Sequence, residues 1–527
     1  MTQLVLTLSA LCLIWRSVEA QFVVGGDARV NPDDFKITTF ASGLNYPVGM
    51  ARLADGSILV AVSNGAAFFN SSSGSLIRLV DSDDDGVAEN KMILVNDVPG
   101  GGLTALRTIG SLVFATGQGK PIAIYRLQDN PTVELSALGT ISIDYSGNWL
   151  HPHSALAVRS TPGEHGSYDL FFQLGSSDNF AHTIRTLPLN STIGLAGTLN
   201  GDALYMVRLT DNGVEIMGFG LMQIATGLRN AAGMAFHPAT GDLYLEDNGI
   251  DGLVNINEPH STDELNMIPA DKIGGEIEDF GFPDNYVAYR SSEFVGGEGI
   301  PPLFAFQPVH DPLTGDESEG ANDIAFAPPG FPANLNDGVF VGFHGRFSLG
   351  GLANEENPLV YVDLKSSKYF HFIGNDQPGV GHLDGLLATD SSLFVADISP
   401  GGGFNNAAGN SGIIYQIRRK AGTTAVKEHL STASPTVFNL SEAWPNPFNP
   451  NTTIAYQLPV ARDVVLTIYN VRGQKVTTLI NQRQNAGFYT TRWNGINDSG
   501  ELVSSGIYLY RLKSGDFVQT KRMVLLK

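Results

Sequence analysis

One frame recurs along most of this chain and limits what it can fold into: a small-residue turn, an apolar run, a turn of the Asp-Gly type and a second apolar run. Six segments carry it, beginning near Gly43 (GLNYPVGMARLADGSILVAVSNG), Gly101, His151, Gly227, Glu319 and Val380. Successive starts lie about 50 to 90 residues apart, the length of a four-stranded unit with uneven loops. Apolar triplets such as Ile58-Leu59-Val60 and Leu393-Phe394-Val395 predict buried inner strands. No segment shows the 3.6-residue period of a long amphipathic helix. The 60 glycines and 27 prolines supply the turns that many short strands need. The expectation is an all-β chain with a six-bladed β-propeller over residues 22–420; a pair of sandwiches is the structural alternative.

Both ends depart from this frame. The N-terminal stretch LVLTLSALCLIW, followed by Val18-Glu19-Ala20, predicts a signal peptide over 1–20. Leu11 precedes Cys12, where lipoprotein processing needs a small residue. Cys12 is the only cysteine, so cleavage would leave a chain without thiol or disulfide chemistry. No later run approaches the roughly 20 apolar residues of a spanning helix. Residues 421–435 (AGTTAVKEHLSTASP) read as a linker. After it, TTIAYQL, DVVLTIYN, GIYLYRLKSG and FVQTKRMVLL are short alternating strands, predicting a small immunoglobulin-like sandwich over 436–527. The net charge of -21, from 53 acidic and 32 basic residues, disfavours nucleic acid and anionic membranes as partners. It suits a soluble exported protein or one that binds cations.

The C-terminal motifs are specific. WPNPFNPNTTIAYQLP, YNVRGQKV, WNGINDSGELVSSGIYLYRL and a Lys-ended last strand resemble the C-terminal sorting domain of type IX secretion cargo, in its flagellar-hook-cap-like immunoglobulin form. The resemblance implies a bacterial source, passage through the periplasm, recognition by the outer-membrane secretion machinery, and release or attachment at the cell surface. It implies no catalysis in this domain. An ordinary binding sandwich is the alternative.

Chemistry concentrates between Gly227 and Pro283. GLRNAAGMAFHPATGDLYLEDNG leads through a polar stretch to DELNMI and DFGFP, so an acidic, carbonyl-rich loop stands near Arg229. Such a loop offers the six to eight oxygens that Ca²⁺ takes, and Arg229 could meet an anion. Upstream, HPHSAL carries two histidines, His151 and His153. A neutral imidazole can accept a proton from a hydroxyl. Either could be a base, with His151 preferred, or both are loop histidines without a role. This segment resembles the soluble glucose/sorbosone dehydrogenase family, six-bladed propellers that use pyrroloquinoline quinone. The family pattern places R-N before G-x-A-F, then a Gly-containing loop, D-E-(I/L)-N and (Y/F)-G-(W/F)-P; this chain has each piece in order, and the resemblance covers roughly residues 38–418. The resemblance implies that Arg229 and Asn230 contact the quinone, that the Gly249 and Ile250 carbonyls bind its Ca²⁺, that Asp263 and Glu264 line a second calcium site, and that His151 is the general base. FHGRF stands where related chains carry H-G-S-W-N-R, making His344 and Arg346 further cofactor candidates. Gly175-Ser176, with Asp178 beyond it, is closer to the sorbosone-like branch than to the glucose enzymes, where an acidic residue orients the base.

A separate run, Asp81-Ser82-Asp83-Asp84-Asp85-Gly86, places carboxylates on alternate positions before a turn glycine. Met92 occupies the twelfth position, so this is not a full EF-hand loop, and Glu89 is the residue that could substitute. It reads as a structural Ca²⁺ site at Asp81, Asp83 and Asp85 or as a plain acidic turn. The other histidines, His310 and His371 among them, show no His-x-x-x-His spacing, and no zinc site is expected. No Gly-x-Ser-x-Gly elbow or phosphate-cradling Gly-x-x-x-x-Gly-Lys occurs. The leading expectation is an exported oxidoreductase that passes hydride from a C1 hydroxyl or hydrated aldehyde of a small sugar or polyol to pyrroloquinoline quinone. Its alternatives are a non-catalytic, calcium-stabilised propeller that binds a glycan or protein, and a metal-dependent, lactonase-like hydrolase.

Overall fold

The computed structural model describes residues 22–420 and 438–526, apart from 131, 256, 347–348, 378, 404–408, 441–442, 444–445, 449–451, 485–486, 499–501 and 516. The expected signal peptide and linker lie outside the described residues. The chain divides into two compact units, Met1–Ala421 and Gly422–Lys527. Among the described residues no helix is long and apolar enough to cross a membrane.

The first unit is built from sheets in chain order, antiparallel except where Glu278–Asp279 joins the edge of the third in parallel. Six of them have four or more strands, with first strands Met50–Arg52, Leu103–Ile109, Leu156–Ser160, Ala231–Phe236, Ala321–Phe326 and Gly385–Ala388. Each of these strands packs against the first strand of the next sheet, and Met50–Arg52 packs against Gly385–Ala388, so they form a ring. The early strand Phe35–Leu44 pairs with Gly412–Arg419 and completes the sixth sheet from the other end of the unit. Apolar clusters fill each gap between successive sheets, including that between the sixth and the first. This is a β-propeller, whose sheets bury both faces against their neighbours.

The recurring frame maps onto this plan with one displacement. The apolar triplets expected as inner strands are second strands: Ile58–Ser63 and Ser392–Asp397, buried along their whole length. Second strands have a hydrogen-bonded neighbour on each edge and a sheet over each face, so every position favours an apolar or small residue. The innermost strand is the short one before them. Across the ring axis, Arg107 of the second sheet donates to Asp323 of the fifth (3.0 Å) and to the Met234 carbonyl of the fourth (3.4 Å).

The second unit is a sandwich. One sheet pairs Asn439–Leu440, Thr452–Leu458 and Gly487–Trp493, and the other orders Lys475–Gln484, Arg462–Asn470, Gly506–Ser514 and Phe517–Leu525. Inward positions Ile454, Leu466, Ile468, Trp493, Tyr510 and Leu512 form its core. Trp493 Nε1 donates to the Ile496 carbonyl at 3.0 Å, satisfying its one polar atom.

Candidate functional site

The segments just before the first strands of the sheets converge on one central cavity of about 830 Å³. His151, Arg229, Asn230, Gly249, Asp263, His344 and Arg346 all line it. The propeller thus brings together residues that stand up to 195 positions apart, from His151 to Arg346.

His151 lies in the turn before Leu156–Ser160. Its backbone N–H donates to the Ser176 carbonyl (2.9 Å), and the Ser176 N–H donates to the Arg229 carbonyl (2.8 Å). Ser176 therefore clasps His151 to Arg229. Gly175 makes the approach possible: a Cβ there would lie 2.5 Å from the Arg229 carbonyl oxygen and 2.8 Å from the His151 Cβ. His151 Nε2 is buried and has no hydrogen-bond partner among the described residues. Burial first, and the nearby Arg229 charge second, push its pKa down to about 3, so the ring is neutral.

His153 is a different residue. The sequence places the two histidines two residues apart, as on one face of a strand, but the 151–155 stretch is not strand. Its Nδ1 meets the Tyr145 hydroxyl and its Nε2 the Lys120 carbonyl, both at 2.7 Å. Fully buried and satisfied on both nitrogens, it is a core histidine.

Arg229 is buried, and its guanidinium is engaged. It donates to the Asn179 carbonyl (3.2 Å), Asn179 Oδ1 (2.6 Å), Asp251 Oδ2 (2.6 Å) and the Asn248 carbonyl (3.4 Å). Asn230 Nδ2 donates to Asn248 Oδ1 at 2.7 Å. Arg346 pairs with Glu356 at 3.0 Å. His344 Nδ1 pairs with Asp384, and its ring stacks on His382 with centroids 4.7 Å apart.

Four further carboxylates, Glu258, Asp263, Glu319 and Asp384, line the cavity beside Asp251 and Glu356. Glu319 Oε1 and Asp384 Oδ2 are buried without a partner among the described residues. Burial and the neighbouring Asp263, Glu356, Glu317 and Glu258 push the Glu319 carboxyl well above its ordinary value. Nothing local marked Glu319 in the sequence; its position at the start of a repeat segment was the available signal.

The calcium ligands suggested by the resemblance are arranged differently. Gly249 lines the cavity and donates its N–H to Asp263 Oδ1 at 2.8 Å. Ile250 is buried behind it, and its carbonyl already accepts from the N–H groups of His260 (2.7 Å) and Ser261 (3.3 Å). Asp263 Oδ2 accepts from the Ala321 N–H at 2.8 Å. Glu264 is the next residue, and burial above all pushes its pKa up to about 8. Adjacent residues of one strand, Asp263–Ile268, point to opposite faces. Asp263 and Glu264 therefore do not converge on one cation.

The Asp81 loop does converge. Oxygen atoms of Asp81, Asp83, Asp85 and Glu89 lie within 4.8 Å of one another. Asp81 accepts from the Asp85 N–H (3.2 Å) and the Gly86 N–H (3.0 Å), and Glu89 accepts from Ser82 N–H and Oγ at 2.8 Å. Lys36 Nζ donates to the Asp85 carbonyl (2.8 Å), and Arg418 pairs with Asp84 (2.6 Å). The loop belongs to the first sheet, and both cations belong to the sixth.

Fold and cavity define a β-propeller with a polar, carboxylate-rich centre, joined in one chain to an immunoglobulin-like sandwich. Residues 449–516 match the FlgD Ig-like domain family. The chain is 30% identical over 189 residues to an uncharacterised protein of Borreliella burgdorferi, a match that spans 33% of this chain and 45% of that protein. Among solved structures it is similar to the calcium structure of a carbohydrate-active enzyme of family AA12 from Trichoderma reesei (TM-score 0.49, 16% identity, 77% of this chain and 98% of that one). It is also similar to the holo form of the pyranose dehydrogenase PQQ domain from Coprinopsis cinerea (TM-score 0.45, 14% identity, 74% and 96%). Likenesses at this level carry none of those proteins' chemistry to this chain, and residue roles rest on the cavity itself.

Proposed function

We propose that the propeller is a calcium- and quinone-dependent oxidoreductase acting on a small sugar or polyol in the central cavity. The observation that carries this reading is His151 Nε2: buried, partnerless among the described residues, neutral, and clasped to Arg229 on the cavity wall. A nitrogen in that state is ready to accept a hydroxyl proton. Glu319 Oε1 and Asp384 Oδ2 are buried polar atoms without partners among the described residues, which suits a ligand whose hydroxyl groups can both donate and accept. Phe69 and Leu150, both exposed, add apolar wall for the face of a sugar ring.

The residues fit pyrroloquinoline quinone under one condition. Arg229, Asn230, His344 and Arg346 would hold it, but both guanidinium groups are already paired with Asp251 and Glu356. The quinone's three carboxylates would enter a wall carrying carboxylates of its own. A divalent cation entering with the quinone offsets that repulsion, with the Gly249 carbonyl and the acidic wall to hold it. When bound, the quinone supplies the hydride acceptor that no side chain provides. His151 takes the substrate's hydroxyl proton, and Arg229 fixes the end of the cavity beside the base.

The same pairing favours a second reading, glycan binding without a cofactor. Metal-stripped protein titrated with pyrroloquinoline quinone, with and without Ca²⁺, separates the two. The expected result is stoichiometric binding only with Ca²⁺, together with aldose-dependent dye reduction that falls about 10²–10⁴-fold in His151→Ala. Absence of binding at micromolar quinone with Ca²⁺ present would rule out the oxidoreductase. Saturable sugar binding would then support the glycan reading, and lactone hydrolysis by the Ca²⁺-loaded protein a Lewis-acid hydrolase. In this proposal the sandwich is an export signal with no part in catalysis, and the chain acts outside the cell or on its surface.

A further inference from the structure

We propose that His310, Asp316 and His371 form a binding site for a first-row divalent transition metal, with zinc the best match. The site is separate from the cavity, whose wall includes none of the three residues, and it does not rest on the oxidoreductase reading. One ligand atom from each residue lies within 4.8 Å of the others. Two imidazoles and a carboxylate are the donor set of three-ligand zinc sites that keep an open position, whereas Ca²⁺ takes oxygen alone.

The fold assembles these residues from two places. His371 sits on the outermost strand of the fifth sheet, Lys368–Ile373, and is almost fully buried. Its Nε2 lies 3.1 Å from Ser318 Oγ. Contact of that kind fixes the orientation of a ligating imidazole. The N-terminal segment presses on it from the other side: Gly25 and Gly26 donate to the Phe372 carbonyl, and a Cβ on Gly26 would lie 2.6 Å from the His371 Cβ.

His310 and Asp316 come from the connection that enters the fifth sheet. Val309 and Asp316 form a bridge, with the Val309 N–H donating to the Asp316 carbonyl at 2.8 Å. Asp311 ties the intervening turn, accepting from the Leu313 N–H (2.9 Å) and from Thr314 Oγ1 (3.0 Å). His310 adopts φ 76°, a region that L-residues rarely occupy, and its ring lies 5.9 Å from that of His371. Asp27 and Asp376 lie close enough to act on His371, adding negative charge around the three ligands. His310 and Asp316 are exposed, leaving a path for the ion and room for solvent at a fourth position.

The test is a Zn²⁺ titration of untagged, metal-free, full-length protein against a chromophoric chelator. Millimolar Ca²⁺ is present to occupy the oxygen-only Asp81 loop. Because His371 is buried and its replacement endangers folding, the variants are His310→Ala and Asp316→Asn, both on the surface. The expected result is one Zn²⁺ per chain at micromolar affinity or tighter, weakened at least about tenfold in each variant. No binding at tens of micromolar Zn²⁺ would overturn the proposal. Unchanged affinity in both variants would overturn it equally.

Discussion

His151 and His153, separated by one proline, receive opposite environments. His153 has a partner on each nitrogen, while His151 keeps a bare Nε2 facing the cavity. The sequence brought both forward with His151 preferred, but what surrounds each ring depends on Tyr145, Lys120 and Arg229, which only the fold brings into place. Glu319 is the sharper case. Burial and four neighbouring carboxylates raise its pKa, so the folded chain keeps its proton where the unfolded chain, with an ordinary glutamate pKa of about 4.3, has lost it. Folding then takes up a proton, and this group's contribution to stability falls as pH rises through and beyond that ordinary value. Glu319→Gln removes the proton uptake. Its denaturation midpoint, compared with the parent's in metal-free buffer, should be relatively higher at pH 8 than at pH 5. Added Ca²⁺ should narrow or reverse that advantage, since Gln is the weaker cation ligand. A midpoint difference independent of pH would mean that Glu319 is ionised and paired.

Single elements show how strand geometry redistributes a motif. DELNMI reads as adjacent acids, yet on the strand Asp263–Ile268 Asp263 and Glu264 face opposite ways, so the two carboxylates that the motif seemed to pool serve separate places. The Asp81 loop behaves in the opposite manner. Its alternate carboxylates sit on a turn with Asp84 and Gly86 in left-handed conformations (φ 59° and 97°), and Glu89 returns to join them. Lys36 and Arg418 reach it from the sixth sheet, so an ion in this loop would strengthen the seam where the ring closes. Ca²⁺ at about 100 times its dissociation constant should add about 2.7 kcal/mol to stability. The check is the denaturation midpoint with and without Ca²⁺, for the parent chain and for Asp83→Asn. A Ca²⁺ increment that survives the substitution would leave the loop as a plain acidic turn.

At the scale of the molecule, the chain divides into two units, each with an apolar core among its described residues: clusters of the first run between its successive sheets, and the sandwich has its own. A chain ending at residue 420 should therefore fold, keeping its cavity and any ligand binding. In a bacterial host with type IX machinery it should accumulate in the periplasm while the full-length chain leaves the cell, as fractionation would show. Equal export of both forms would overturn the sorting role proposed for the sandwich. Much of this organisation is legible in one dimension. Turn chemistry and apolar alternation are local, so the repeat frame announced the sheets, the change of texture announced the sandwich, and His151, Arg229 and Asn230 stood out at the starts of repeats. What the sequence alone could not decide is which polar groups meet. Six strand starts converge on the ring axis, placing Glu319 and Asp384 beside His151 and Arg229, and the connection into the fifth sheet sets His310 against His371, 61 positions away. Spacing rules detect groups on one element, whereas the cavity is assembled by closure of the ring and the His310–His371 cluster by a connection folding back onto its own sheet, properties that no short segment carries.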